Sequence, residues 1–141
     1  MRFMMLMIPK VYAGPTDPNF TPPVDAVEKM TKYNEQLAKA GVLISLDGLH
    51  PPEKAARVHF DGARPRVQDG PFAESKEMLG GYWIIQAKSR EEAIEWARRV
   101  PAASGDIVEV RQVFDMADFP PDVRAAADNE TVNAAIGVAH L

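Results

Sequence analysis

Every residue from Phe3 to Ile8 is apolar, and Tyr82-Trp83-Ile84-Ile85 is nearly so. An antiparallel strand with one wet face alternates apolar and polar side chains. Neither of these runs leaves a face for water, so both read as strands covered on two sides. Both are far shorter than the roughly 20 residues a membrane helix needs. Met1 to Ile8 also fails as a secretory leader. It has no separate basic segment, and Pro9-Lys10 stands where small residues should mark a cleavage site.

Strand and helix patterns alternate along the chain. After Phe3–Ile8, Pro9, Gly14, Pro15, Pro18, Pro22 and Pro23 make residues 9–23 a loop, because prolines this dense exclude a helix interior or a sheet centre. A loop of this length is either a binding segment or a surface connection. Thr21 is expected to cap a helix with Pro22 in its first position. Ala26, Met30, Tyr33, Leu37 and Ala40 form its apolar stripe, and Gly41 follows its end. Val42–Leu46 reads as a strand. Ala56, Val58 and Phe60 alternate with Arg57 and His59 as a half-buried strand. Asp61-Gly62 marks a hairpin turn, and Arg64–Gln68 returns. Tyr82–Ala87 is a strand, Ser89 with Glu92 opens a second helix striped by Ala93, Trp96, Ala97 and Val100, and Ile107–Phe114 is the last strand.

This order suits an α+β fold of ferredoxin-like type: one antiparallel sheet with two helices on one face. Two helices cover only that face. The other would expose an apolar patch that monomers rarely show. A second copy, sheet against sheet, is the simplest cover, so a homodimer is expected. The structural alternative is that the tail folds back over the sheet. The first 114 residues read as one domain. Residues 115–141 read as a partly helical tail, with short helical pieces at Asp122–Ala127 and Thr131–Val138.

Composition narrows the function. The chain has 141 residues, 46% of them apolar, which suffices for one core. It has no cysteine, so disulfides and thiolate metal sites are out, and a cytoplasmic location is expected. A net charge of −4 with interspersed signs argues against nucleic acid or an anionic membrane as partner. No metal is expected, because His50, His59 and His140 are far apart with no paired spacing. No cofactor is expected either, since no dinucleotide fingerprint occurs.

The stretch Asp69-Gly70-Pro71-Phe72-Ala73-Glu74-Ser75-Lys76-Glu77, followed by Gly80-Gly81-Tyr82, resembles the signature of the DGPF family, within the YCII-related superfamily. Ala40-Gly41-Val42-Leu43, Gly48-Leu49-His50-Pro51-Pro52 and Glu109-Val110-Arg111 agree with it, so the likeness runs from about Phe3 to Phe114. It implies a dimeric α+β barrel, its sheets packed across the dimer. YCII-like relatives carry a His–Asp active-site pair, and a few act on small ring compounds. Other DGPF-type proteins resemble partners of alternative sigma factors. The His of that pair lies in the first helix, and Val24 to Ala40 contains none, so the pair does not carry over.

The candidate site residues follow. Asp69 ends a strand before Gly-Pro, where a carboxylate either acts as a general base or bonds backbone amides to shape the turn. His50, in a loop matching the family pattern, is either a proton shuttle or a surface residue. Glu74, Lys76 and Glu77, with Tyr82, are the candidates for contacting substrate. Their bland reading is an ion-paired turn of helix. Gly80-Gly81 lets the chain enter the sheet at close approach. His59 with Arg57, Arg64 and Arg66 is either an anion site or a solvated hairpin edge. Two functions therefore stand. One is a small-molecule binder or enzyme with its pocket near the dimer interface, and the other is a non-catalytic accessory protein.

Overall fold

The computed structural model describes residues 1–73 and 76–137. Six strands run β1 (Arg2–Ile8), β2 (Leu43–Gly48), β3 (Ala56–His59), β4 (Arg66–Asp69), β5 (Gly81–Gln86) and β6 (Ile107–Gln112). The helices are α1 (Val24–Lys39), α2 (Arg90–Arg98), α3 (Pro121–Ala127) and α4 (Glu130–Ile136). A four-stranded antiparallel sheet has the order β2-β5-β1-β6 and stays open rather than closing into a barrel within the chain. Strands β3 and β4 pair only with each other, so there are two sheets where the sequence suggested one.

The doubly apolar strands are the central ones. Met5 faces Trp83 on one side and Val110 on the other, and Phe3 faces Ile85 and Gln112. Phe3, Met5, Trp83 and Ile85 are buried with Tyr33, Leu37, Ala93 and Val100 in one core, so both long helices cover this face. Two hydrogen bonds lock α1 into place: Tyr33 Oη donates to the Trp96 carbonyl at 2.6 Å, and Trp83 Nε1 donates to Asn34 Oδ1 at 2.7 Å. Alternation sends Met4, Leu6, Tyr82 and Ile84 to the opposite face, where each is only half-buried.

Local differences from the sequence reading have physical causes. Helix α1 begins at Val24 after an extended Pro23 (φ −62°, ψ 152°), not at Pro22 with a Thr21 cap. Pro23 disfavours the helical conformation for the residue before it, so Pro22 cannot be the first helical residue. The stripe narrows to Met30, Tyr33 and Leu37, with Ala26 and Ala40 exposed. The hairpin does not turn at Asp61-Gly62 alone. His59 pairs with Arg66, leaving residues 60–65 as the loop, because Pro65 has no N–H for the ladder.

Helix α2 keeps its start signal. Ser89 Oγ accepts from the Glu92 amide at 3.1 Å, while Glu92 Oε2 accepts from the Lys88 amide at 2.8 Å. Gly81 is tied to its place in the sheet, since a Cβ there would stand 2.9 Å from the Asp47 carbonyl oxygen. The tail forms its two short helices, but from Pro121 to Gly137 every residue except Asn133 is exposed. It therefore does not bury the second face of the sheet. The tail is anchored at its root, where Arg2 donates to Asp115 Oδ1 through both Nε (3.1 Å) and Nη2 (3.0 Å). Among the described residues no helix is long and apolar enough to cross a membrane.

Candidate functional site

Strand β2 ends beside Gly81, and the chain then leaves the sheet through Leu49, His50, Pro51 and Pro52. Two prolines hold this exit rigidly, and both are buried. After β3 and β4 the chain returns at Gly70. Its amide donates to the Ala55 carbonyl at 2.7 Å, and a Cβ on Gly70 would stand 2.0 Å from the Pro52 carbonyl oxygen. Only glycine permits that approach. The tight crossing brings Phe72 down beside the hairpin base, where it is buried.

Between these segments lies a cleft of about 510 Å³. Its apolar lining comes from Leu49, Pro51, Pro52, Ala55, Ala56, Phe72, Met78 and Leu79. Among the described residues its ionisable lining is His50, Lys54, Arg57 and Glu77. Arg57 holds its guanidinium 3.8 Å over the Phe72 ring and donates to Met78 Sδ at 3.5 Å. Apolar walls with a few placed polar groups are the usual make-up of a small-molecule site.

The loop after β1 braces the cleft from behind. Tyr12 Oη donates to the Leu49 carbonyl at 3.0 Å, and the Thr16 amide donates to Glu53 Oε2 at 3.1 Å. Glu53 Oε1 is buried with no hydrogen-bond partner among the described residues. Burial, and secondarily the nearby Glu53 carboxylate, pushes the Tyr12 phenol above its ordinary pKa, keeping it a donor. Residues 9–23 are thus more than a surface connection: they pin the exit loop.

The sequence candidates fall in different places. His50 and Glu77 both line the cleft. Asp69 closes β4 opposite Ala56, is exposed, and is not part of the lining. Its side chain caps no backbone amide among the described residues. Lys76 is exposed and also off the lining. Glu74 lies outside the described residues.

Tyr82 stands on the open face of the sheet, donating to Asp47 Oδ2 at 2.9 Å. That bond first, and the charge of Asp47 second, raise its pKa, so Tyr82 stays protonated. The basic hairpin cluster is paired off in part. His59 Nε2 is 2.8 Å from Gln68 Oε1, and Arg66 meets Asp61 at 3.4 Å.

Sequence reasoning did not name Lys54, Phe72 or the prolines as site residues, and it grouped Arg57 with His59, Arg64 and Arg66 as an anion site or a hairpin edge rather than with the cleft. An aromatic residue in a stretch without strand pattern was the available signal for Phe72.

Residues 1–117 match the family model of the YCII-related domain. An uncharacterised protein of Rhizobium meliloti (strain 1021) is 33% identical over 75 residues, which are 53% of this chain and 60% of the relative. The match thus spans less than two thirds of that relative's length.

Proposed function

This chain belongs to the YCII-related domain family, and from that premise we propose that it is a homodimeric small-molecule-binding protein whose ligand is a small, partly apolar organic acid or phenol held in the cleft beside the hairpin. The observation that carries this reading is the lining itself. Phe72, Leu49 and Leu79 offer a surface for a ring, and Lys54 on the same lining offers a cation to an anionic group. His50 is the histidine on the wall among the described residues, and it is our first candidate for proton transfer to or from a bound ligand. Asp69 is the second candidate for that role. Glu77, on the same lining, is our candidate for orienting a ligand hydroxyl.

We read the order β2-β5-β1-β6 as ferredoxin-like, with β3–β4 inserted between the second and third strands of the sheet. Two sheets then pack face to face through Met4, Leu6 and Ile84. Support comes from that face itself, where Met4, Leu6 and Ile84 are apolar, only half-buried and covered by neither α1 nor α2.

The test is thermal-shift screening of benzoate, phenol and related small acids on wild type, His50→Ala, Lys54→Ala and Asp69→Asn. Saturating ligand raises the wild-type midpoint, and the His50 and Lys54 variants respond less. Absence of a response to every compound in all four proteins sinks the reading.

A second reading rests on the tail, whose Val123, Val132 and Ile136 are about half exposed. Such a surface suits a non-catalytic accessory protein that engages another protein, an alternative sigma factor for example. Substitution of Val132 and Ile136 by Asp with unchanged ligand response but lost protein partner would favour it.

A further inference from the structure

We propose that the polar face of the β3–β4 hairpin is an anion subsite of the cleft, and that it receives the charged end of a tethered acid: an apolar ring carrying a carboxylate on a chain of roughly four methylene groups, a length set by the spacing of the hairpin rungs. The proposal rests on the ligand reading above and deepens it, because it places the ligand's charge outside the cleft proper.

The hairpin is turned against its own pattern. Arg57 pairs with Gln68, Val58 with Val67 and His59 with Arg66. Paired residues share a face, so Arg57, Gln68, His59 and Arg66 lie on one side and Val58 and Val67 on the other. A ribbon with two unlike faces ordinarily turns the apolar one inward. Here Val58 is 51% and Val67 64% exposed, whereas His59 and Gln68 on the polar side are half-buried. Arg57 belongs to that polar side and lies over the buried Phe72 ring, so the polar side is the one that continues the cleft. Positions where the fold overrides local patterning in this way are characteristically functional.

The donors on this side suit an anion. Gln68 Oε1 lies 2.8 Å from His59 Nε2. A carbonyl oxygen only accepts, so Nε2 carries a proton. Nδ1 is then left to donate when the ring is protonated, and the Gln68 NH₂ group has no hydrogen bond among the described residues. Arg66, opposite His59, meets Asp61 at 3.4 Å with both side chains more than half exposed. Such a surface pair is weak. Arg66 therefore turns to a ligand carboxylate at little cost and offers it two parallel N–H donors. Arg57 is engaged with Phe72 and Met78, and serves as the joint between cleft and hairpin rather than as the anion's partner. From the Arg57–Gln68 rung to the His59–Arg66 rung is two residues, about 7 Å. A ring lying against Phe72, Leu49 and Leu79 reaches the second rung with its charge only through a tether of that length.

Calorimetric titration with benzoate, 5-phenylpentanoate and 5-phenylpentanol tests the subsite. The long acid is expected to bind wild type about tenfold more tightly than the alcohol, which has similar apolar surface and no charge. His59→Gln and Arg66→Gln each reduce that preference at least threefold and leave benzoate binding unchanged. Arg66 is exposed, and glutamine at position 59 can keep the contact with Gln68, so both variants retain the fold. A preference that survives both substitutions overturns the subsite. A preference lost in Lys54→Ala instead also overturns it, since the charge then lies inside the cleft. As a second measurement on wild type, the His59 ring proton resonances move with the long acid and not with the alcohol, and resonances unmoved by the acid overturn the subsite. If none of the three compounds binds, the ligand reading fails and the subsite with it. If benzoate binds but the long acid has no advantage over its alcohol, only the subsite fails.

Discussion

The guanidinium of Arg57 lies 3.8 Å above the centre of the Phe72 ring, joining strand β3 to the segment that follows β4. The contact closes one side of the cleft and makes the two walls a single unit. Phe72→Ala removes a buried ring and is expected to cost about 3 kcal/mol. Arg57→Ala is expected to cost about 0.5–1 kcal/mol through the ring contact. Urea unfolding of both single variants and the double variant checks this. A coupling energy indistinguishable from zero would show that the ring and the guanidinium do not support each other.

Gly70→Ala tests the crossing beneath the cleft. The added methyl would stand 2.0 Å from the Pro52 carbonyl oxygen, which is backbone and cannot swing aside. The expected loss is about 2–3 kcal/mol, in the range of overpacked sites. Chemical denaturation measures it, and a loss below 0.5 kcal/mol (about the noise of a surface change) refutes the close approach.

Alkaline stability depends on Tyr33. Burial raises its phenol from 10.0 to about 12, with Arg99 opposing the shift. The folded state therefore holds the proton more tightly than the unfolded chain. Its contribution is complete below pH 10, falls as the unfolded phenol ionises, and is gone above about 12. Tyr33→Phe should flatten this part of the stability–pH curve. At neutral pH the variant should lose about 1 kcal/mol, because the hydrogen bond to the Trp96 carbonyl goes. Parallel curves for wild type and variant between pH 10 and 12 would contradict the assignment.

The root of the tail depends on Arg2. It donates to Asp115 Oδ1 and to the Phe114 carbonyl at 3.0 Å each through Nη2. Arg2→Gln is expected to cost about 1 kcal/mol, as the pair is only partly buried. Hydrogen exchange at the Asp118 and Phe119 amides, which bond back to Asp115 and Met116, should speed up at least fivefold. Unaltered exchange there would mean that the tail holds its shape without Arg2.

Much of the sheet was readable from local pattern. Phe3–Ile8 and Tyr82–Ile85 announced strands because they had no polar face, and the structure pairs them with each other at the centre of the sheet. The α2 stripe was readable because Ala93, Trp96, Ala97 and Val100 recur at the helical period. Two of the candidate site residues, His50 and Glu77, do meet in one cleft. The hairpin's turn was misplaced because Asp61-Gly62 is a strong local signal, while Pro65 removes the amide that a two-residue turn would have used.

Sequence alone determined the elements, since period, proline placement and capping act within a few residues of one another. Which side chains share a cleft was decided by the tertiary structure. Leu49 and Arg57 meet Phe72, Met78 and Leu79 across the cleft because Gly70 passes against the Pro52 carbonyl and donates to Ala55. That contact between segments some 15 to 18 residues apart has no local periodicity to betray it. The exposure of Val58, Phe60 and Val67 was likewise a tertiary outcome. Alternation says that a face is apolar, but only the arrangement of the other elements says what, if anything, lies against it.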